Sequence, residues 1–272
     1  MSVTISPAQP AELTPVLAAL YGAPEDVVAW MASGPGAWLA RDEAGEVLGA
    51  VGLRPSPAHG AELMGGARPG LRQAEVATAL ARVAREAAGR VYAFAETHLF
   101  PLTALKAAGY REVGAYRVLV GPTPTASVPL PEGVRLLPIV DGLNLSTHVA
   151  AIATYEDRIG HHAATPEHTA PEVGGFDPEL SLIAVDTEGR AAGICSASTR
   201  EGHAHIGAPG VRPDLRQTNL RAALLLGVCA LVRARGLGEV WIESWGDTPE
   251  EVSQDLSLGL GVEVEEPILA AG

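Results

Sequence analysis

A stretch of thirteen residues occurs twice in this chain, and this repeat constrains the fold more than any other sequence feature. The first copy covers residues 68–80 and the second residues 212–224, which lie 144 residues later, and seven of the thirteen positions are identical. A second match, between residues 42–49 and 186–193, has the same spacing and keeps one aspartate and two glycines. Solenoid repeats are only about 20–50 residues long. Two matches at one long spacing therefore predict a duplicated domain.

Each copy has the pattern of a strand end, a turn and a helix start. Pro213 cannot continue a central strand, and Asp214 is a residue type that caps helices. Apolar residues then recur at helical spacing, so we expect a helix that starts near Arg216. The free N–H groups and positive dipole end of such a helix suit a pyrophosphate. An ordinary strand-to-helix connection in an α/β fold has the same appearance.

The predicted order of elements is also the same in the two halves. Each half follows the order β–α–α–β–β–β–α–β–α–β, with a hairpin whose turn covers residues 42–45 in the first half and 186–189 in the second. The fold class is therefore predicted to be α/β. The last strand, over residues 262–269, contains Pro267, which predicts an edge position in its sheet.

The boundary between the halves follows from a proline-rich run. Prolines recur through residues 122–132, which favours an extended linker. We therefore predict an N-terminal domain over residues 1–121 and a C-terminal domain over residues 133–272.

Composition narrows the classes of protein that fit. The chain has 272 residues and is 47% apolar, which is enough for two cores. We predict no transmembrane helix, because no apolar run of about 18 residues exists, and no signal peptide. The net charge of -13 disfavours nucleic acid and anionic membranes as partners. Cys195 and Cys229, the only cysteines, are expected to be core residues in a reducing, cytoplasmic compartment.

The order of elements and the stretch that opens each long helix resemble the GNAT superfamily of acyl-CoA N-acyltransferases. Residues 105–110, Leu-Lys-Ala-Ala-Gly-Tyr, are similar to the family's segment before its last strands. The resemblance covers nearly the whole chain, twice, in a layout similar to that of mycothiol synthase. It implies two tandem GNAT-like domains, each a twisted mixed sheet flanked by helices. It also implies transfer of an acetyl group from acetyl-CoA to an amine of a small molecule, without a metal, by a monomer or homodimer.

The resemblance assigns cofactor binding to the C-terminal copy. The family's pyrophosphate loop reads Q/R-x-x-G-x-G/A, and its glycines let backbone amides approach the phosphates. Here Asn219 replaces the first glycine, and Arg221 replaces the second small residue, where it would either crowd the site or contact a phosphate. In the N-terminal copy Glu75 would repel a pyrophosphate, so we expect that domain to be structural. The expected cofactor-binding residues are Val211, Arg216, Gln217, Thr218, Asn219, Leu220 and Arg221.

The family's usual general acid has no counterpart here. That acid is often a tyrosine four residues before the glycine that precedes the last strands. The corresponding residues are Asp255 and Leu105. Proton transfer to the departing thiolate would then need another group or water.

Three residues are candidates for the base that deprotonates the amine. His203 and His205 lie on one face of a predicted strand that leads to the cofactor loop, and Glu243 lies on a neighbouring strand. Each is equally a residue type that finds a structural or solvent partner on a strand.

A polar segment in the second half contains several metal-binding residue types. Its members are Asp157, His161, His162, Glu167 and His168. Their spacing matches no tight ligand motif, so we interpret the segment as a loop over the acceptor pocket rather than a metal site.

Two other functions remain open from the sequence. One is a degenerate tandem GNAT protein that binds acyl-CoA or another ligand without turnover. The other is a structural or interaction protein. Binding of CoA separates the second from the rest, and loss of the thioester with a trial amine separates an enzyme from a binder.

Overall fold

The computed structural model describes residues 3–96, 98–139 and 144–272. The chain forms two compact units, each of α/β class with a mixed sheet and flanking helices. The first unit contains the chain up to Ala115 together with Glu266–Gly272, and the second contains Tyr116–Glu265. The unit boundaries therefore fall inside two strands. The predicted division into 1–121 and 133–272 follows chain order. In the structure, residues 116–121 belong to the second unit and residues 266–272 belong to the first.

The strands of the first unit lie side by side in the order β1 (Thr4–Pro7), β2 (Ala37–Arg41), β3 (Val47–Ser56), β4 (Gly60–Ala67), β5 (Val91–Phe94) and β14 (Gly261–Ala271). Helix α3 packs one face of this sheet through Val76, Leu80 and Ala84, whose spacing of four residues puts them on one side of the helix. The elements of this unit, up to β6, are β1 (Thr4–Pro7), α1 (Pro10–Tyr21), α2 (Glu25–Val28), a 3-10 helix (Ala29–Ala32), β2 (Ala37–Arg41), β3 (Val47–Ser56), β4 (Gly60–Ala67), α3 (Gln73–Ala88), β5 (Val91–Phe94), α4 (Leu102–Ala107) and β6 (Arg111–Pro122).

The second unit has two groups of hydrogen-bonded strands. One has the order β7 (Arg135–Pro138), β8 (Leu182–Val185), β9 (Ala191–Cys195) and β12 (Gly210–Val211), and the other has the order β6, β13 (Glu239–Trp245), β11 (His203–Ile206) and β10 (Ala197–Arg200). Helix α7 buries Leu224 and Val228 against Ile206 and Ile242. The remaining elements are β7 (Arg135–Pro138), α5 (Leu145–Ile152), 3-10 helices (Ala153–Tyr155 and Pro166–Thr169), α6 (Pro171–Gly174), β8 (Leu182–Val185), β9 (Ala191–Cys195), β10 (Ala197–Arg200), β11 (His203–Ile206), β12 (Gly210–Val211), a 3-10 helix (Pro213–Leu215), α7 (Leu220–Ala234), β13 (Glu239–Trp245), α8 (Pro249–Leu256) and β14 (Gly261–Ala271).

Hairpin geometry confirms the internal repeat. The register shifts between Ala40 and Arg41 in the first hairpin and between Ala184 and Val185 in the second, again 144 residues apart. After each shift the turn aspartate, at position 42 or 186, accepts backbone hydrogen bonds from the residues two and four positions on, at 2.9 to 3.0 Å.

Two glycines repeat the same close contact. A Cβ added at Gly49 would lie 2.6 Å from the carbonyl oxygen of Gly66 and 3.1 Å from Leu80. A Cβ at Gly193 would lie 2.4 Å from the carbonyl oxygen of Gly210 and 2.9 Å from a leucine of α7. Only glycine lets the strand and its neighbour approach so closely beneath the long helix. The repeated glycine in the sequence is therefore a packing requirement.

The edge position predicted for the last strand is wrong. β14 lies between β5 and β6. Pro267 is tolerated there because it only accepts, from the Ala95 N–H at 2.9 Å. The ladder with β5 begins at the next residue, Ile268, which pairs with Phe94.

Cys195 and Cys229 are buried and unpaired, in agreement with their expected place in the core. Within the described residues, no helix is both long and apolar enough to span a bilayer.

Candidate functional site

An opening in the second unit lies where two parallel strands separate. β11 and β13 pair through Ile206, opposite Ile242. Beyond that residue the chain leaves β13 and pairs with β9 through Gly210 and Val211 instead. In the part of the chain that the structure describes, residues 243–245 of β13 therefore continue without a parallel neighbour. Glu243 is the first of them.

The corresponding place in the first unit is filled by the protein itself. β4 and β5 pair only at two positions and then separate. The Ala67 N–H donates to the carbonyl oxygen of Leu99 at 3.0 Å, and Leu99 and Phe100 are buried. Gly66 has a φ of +154°, and a Cβ there would lie 2.5 Å from that same oxygen. Residues 98–100 therefore occupy the space beside β4.

The start of α7 lies beside the opening of the second unit, but the helix begins at Leu220 and not near Arg216. A 3-10 turn and a further turn precede it, and the Thr218 hydroxyl accepts from the Leu220 N–H at 3.2 Å. The expected capping by Asp214 is also wrong. Its carboxylate binds the Arg212 guanidinium at 2.7 and 3.1 Å instead.

Asn219 occupies the N-cap position of α7 with a φ of -82°, so this backbone does not need the glycine that the resembling family has there. Its side-chain amide donates to the carbonyl oxygen of Pro129, in the proline-rich segment.

Arg216 is held by a carboxylate. Its guanidinium binds both oxygens of Asp157, at 2.5 and 2.7 Å, and also donates to the Val211 carbonyl oxygen at 3.0 Å. The hydrogen bonds from Arg216 hold the pKa of Asp157 below its ordinary value. An anionic ligand at this helix start would have to replace the Asp157 carboxylate.

Arg221 and Asp255, the two departures from the family pattern, bind each other. The Arg221 guanidinium donates to the two Asp255 oxygens at 2.8 and 2.7 Å, and the side chains are only 9% and 3% exposed. Bidentate, charge-assisted pairs of this kind are among the stronger hydrogen bonds in proteins. Arg221 is therefore directed toward α8, and Asp255 has both oxygens engaged.

This pair belongs to a charged cluster of two arginines and three carboxylates. Arg221 also lies 3.4 Å from Asp247 and 3.7 Å from Glu251. Arg158 binds Glu251 at 2.7 Å and lies 3.8 Å from Asp247. Burial raises the pKa of Asp247, although Arg221 opposes this. The charged cluster joins α7, α8 and residue 158 of the polar loop.

His203 and His205 form a pair on the paired part of β11. Their Nε2 atoms are 3.0 Å apart, so one imidazole donates to the other. The His203 ring stacks on Trp241, with centroids 4.8 Å apart. Burial lowers the pKa of His205, and Arg200 and His203 lower it further.

Glu243 is half-buried at the opening, and its carboxylate accepts from the Trp245 indole N–H at 3.3 Å. The Trp245 ring packs against Tyr116 and against His161, at centroid distances of 4.4 and 5.7 Å. His161 in turn stacks on Tyr155 at 4.9 Å, and burial lowers its pKa to about 4. An aromatic wall therefore surrounds one side of Glu243.

The polar loop contributes to this wall and to the charged cluster. His168 accepts from the Thr165 N–H through Nδ1 and so caps a short 3-10 helix.

Among the described residues, no group of three or more His, Cys, Asp or Glu side chains is placed to hold a metal ion. The residues that sequence reasoning missed at the opening are Tyr116, Tyr155, Arg158, Asp247 and Glu251.

Known proteins resemble this chain in sequence over a short segment and in structure over its length. No family model matches the chain. A mycothiol acetyltransferase from Clavibacter michiganensis is 43% identical over 65 residues, which are 24% of this chain and 21% of that relative. The sequence match thus spans about a fifth of the relative's length.

Two solved structures match nearly end to end. A GCN5-related N-acetyltransferase from Sphaerobacter thermophilus has a TM-score of 0.59 and 22% identity, covering 98% of this chain and 95% of its own. A tandem GNAT protein from the clavulanic acid biosynthesis pathway has a TM-score of 0.56 and 17% identity, covering 99% and 98%. These matches show that the chain shares the fold of these two N-acetyltransferase structures over nearly its whole length.

Proposed function

We propose that this protein is an N-acetyltransferase that moves the acetyl group of acetyl-CoA to an amine of a small molecule. The observation that supports this most directly is the opening where β11 and β13 separate, with a carboxylate at its edge and a helix start beside it. Parallel strands that diverge next to a helix N-terminus offer both a slot and an anion site.

The start of α7 is the proposed place for the pyrophosphate. Arg216 is the cation that would bind it, after exchanging Asp157 for a phosphate oxygen. The same turn contains the backbone of Gln217, Thr218, Asn219 and Leu220. Arg221 is not assigned to the phosphates, because Asp255 holds it.

Glu243 is the preferred base among the three candidates. Acetyl-CoA supplies the acetyl group as a thioester; the amine nitrogen forms the new C–N bond as the C–S bond breaks. The amine must lose a proton to react, and Glu243 is the candidate that lies at the opening. His205 lies opposite Trp241, two positions back along the strands, or about 7 Å. The histidine pair would act through a water or a longer substrate.

A second function is binding of acyl-CoA without turnover. The Arg221–Asp255 pair favours it, because it fills the two positions where the resembling family has a small residue and a tyrosine. If the protein did transfer the acetyl group, protonation of the departing thiolate would depend on water, because both Asp255 oxygens accept from Arg221.

The test measures CoA binding by isothermal titration and thiol release from acetyl-CoA with a panel of amines. Glu243→Gln should lower kcat by about a hundredfold or more, the usual contribution of a general base, and leave CoA binding unchanged. Glu263→Gln, at an exposed position of β14, is the matched control and should change neither. Binding without thiol release in the wild type would favour the second function. Absence of CoA binding would reject both.

A further inference from the structure

One face of β13 alternates carboxylates and indoles. Glu239, Trp241, Glu243 and Trp245 lie at every second position, so their side chains share a face. Each indole N–H donates to the carboxylate two residues before it, at 3.0 Å from Trp241 and 3.3 Å from Trp245. We call these four residues the acid–indole ladder.

The ladder lies on the surface side of its strand. Trp241, Glu243 and Trp245 are half-buried and Glu239 is exposed, whereas the opposite face, with Val240, Ile242 and Ser244, is buried. Exposed aromatic surface bordered by polar groups is typical of binding sites. The indoles are also fixed in place, Trp241 under His203 and Trp245 against Tyr116, so little side-chain freedom is lost when a ligand binds.

Within the described residues, the charges of the ladder are not neutralised by a basic side chain. In the described part of the chain, neither Glu239 nor Glu243 has an arginine or lysine within ion-pair distance, whereas Asp157, Asp186 and Asp255 each bind an arginine. The indole N–H groups donate hydrogen bonds but bring no positive charge.

Indole faces and carboxylates both attract cations, so the ladder favours a positively charged ligand. Arg200 does not supply this charge, because it lies opposite His203 on β10 and β11 separates it from the ladder.

We propose that the acid–indole ladder binds the acceptor, and that this acceptor is a linear amine with two or more positive charges. This rests on the proposed acetyl transfer. The amine that reacts enters the opening at Glu243, and a second ammonium stays beside Glu239 and Trp241. The two glutamates are four positions apart, or about 13 Å along the strand. A linear polyamine spans such a distance, whereas a compound with one ammonium occupies only one of the two carboxylates.

The binding test is made without acetyl-CoA, so it does not depend on catalysis. Spermidine and butylamine are titrated into the protein, with tryptophan fluorescence and isothermal titration as readouts. Spermidine should bind at least tenfold more tightly than butylamine and lose this advantage as salt is raised. Glu239→Gln should weaken spermidine binding about fivefold and leave butylamine unchanged, because only the second ammonium reaches that carboxylate. Glu263→Gln is the control and should alter neither.

The outcomes separate this inference from the proposed function. Equal affinities for spermidine and butylamine, or equal effects of Glu239→Gln and Glu263→Gln, would overturn the ladder as an acceptor site. Acetyl transfer to butylamine as fast as to spermidine would also overturn it, while leaving the acetyltransferase intact. Selective spermidine binding without thiol release would keep the polyamine site and reject acetyl transfer.

Discussion

The Arg221–Asp255 pair allows a prediction about two single substitutions: loss of the arginine should destabilise the protein more than loss of the carboxylate charge. The charged cluster holds two arginines and three carboxylates, all largely buried. Arg221→Met would leave three carboxylates facing Arg158 alone. Removing one partner of a buried ion pair costs about 3–5 kcal/mol, because the other charge remains without compensation. We therefore expect Arg221→Met to lower the free energy of unfolding by that amount.

Asp255→Asn should cost less. It leaves two arginines facing two carboxylates, and the new amide oxygen still accepts a hydrogen bond from Arg221. Loss of one charge-assisted bond in a balanced cluster corresponds to about 1–3 kcal/mol. The double variant Arg221→Met/Asp255→Leu removes both charges at once, and its cost should be about 2–4 kcal/mol below the sum of the two single variants.

The assay is equilibrium unfolding in urea at pH 7, followed by circular dichroism and by tryptophan fluorescence. Two compact units need not unfold together, so the two probes are compared before a single free energy is extracted. Arg190→Met is the control. Arg190 is 64% exposed and pairs with Asp186 at the surface, where such pairs contribute about 1 kcal/mol or less. The charge argument is refuted if Arg221→Met costs no more than Asp255→Asn.

Three further outcomes are expected. Asp157→Asn should strengthen CoA binding about three- to tenfold in calorimetric titration, because it removes a carboxylate that competes for Arg216; unchanged affinity would place the phosphates elsewhere. Burial raises the pKa of Glu96 from an ordinary value near 4.5 to about 7, so its stabilising contribution is complete below about pH 4.5 and is lost as pH rises through 7. Thermal melts should therefore show the wild type losing stability from pH 5 to 8, with a flatter profile for Glu96→Gln, and parallel profiles would contradict this. Gly66→Ala should lower the unfolding free energy by about 2 kcal/mol or more in urea titrations, because of its left-handed φ and the Leu99 oxygen 2.5 Å from the new methyl; a neutral effect would mean that the segment relaxes freely.

The repeat, the hairpins and the two long helices could be predicted because local chemistry specifies them. An aspartate whose carboxylate accepts two nearby amides makes the same turn at residues 42 and 186, whatever lies around it. Apolar residues at every fourth position of α3 and α7 likewise identify a buried helix face without any knowledge of the partner. Strand and helix positions therefore agreed with the sequence pattern to within a few residues.

Partners that are distant in the chain could not be predicted. From the sequence, Arg221 could be described only as a charge at a helix start. In the structure, its orientation is set by a carboxylate 34 residues away. Asp157 reaches Arg216 across 59 residues for the same reason. Pro267 has the local features of an edge residue, yet its strand is interior because its neighbours come from residues far earlier in the chain. Charge pairing and strand order depend on where residues lie in space. Contacts between residues that are distant in the chain have no signature in the local composition, so a sequence pattern does not predict them.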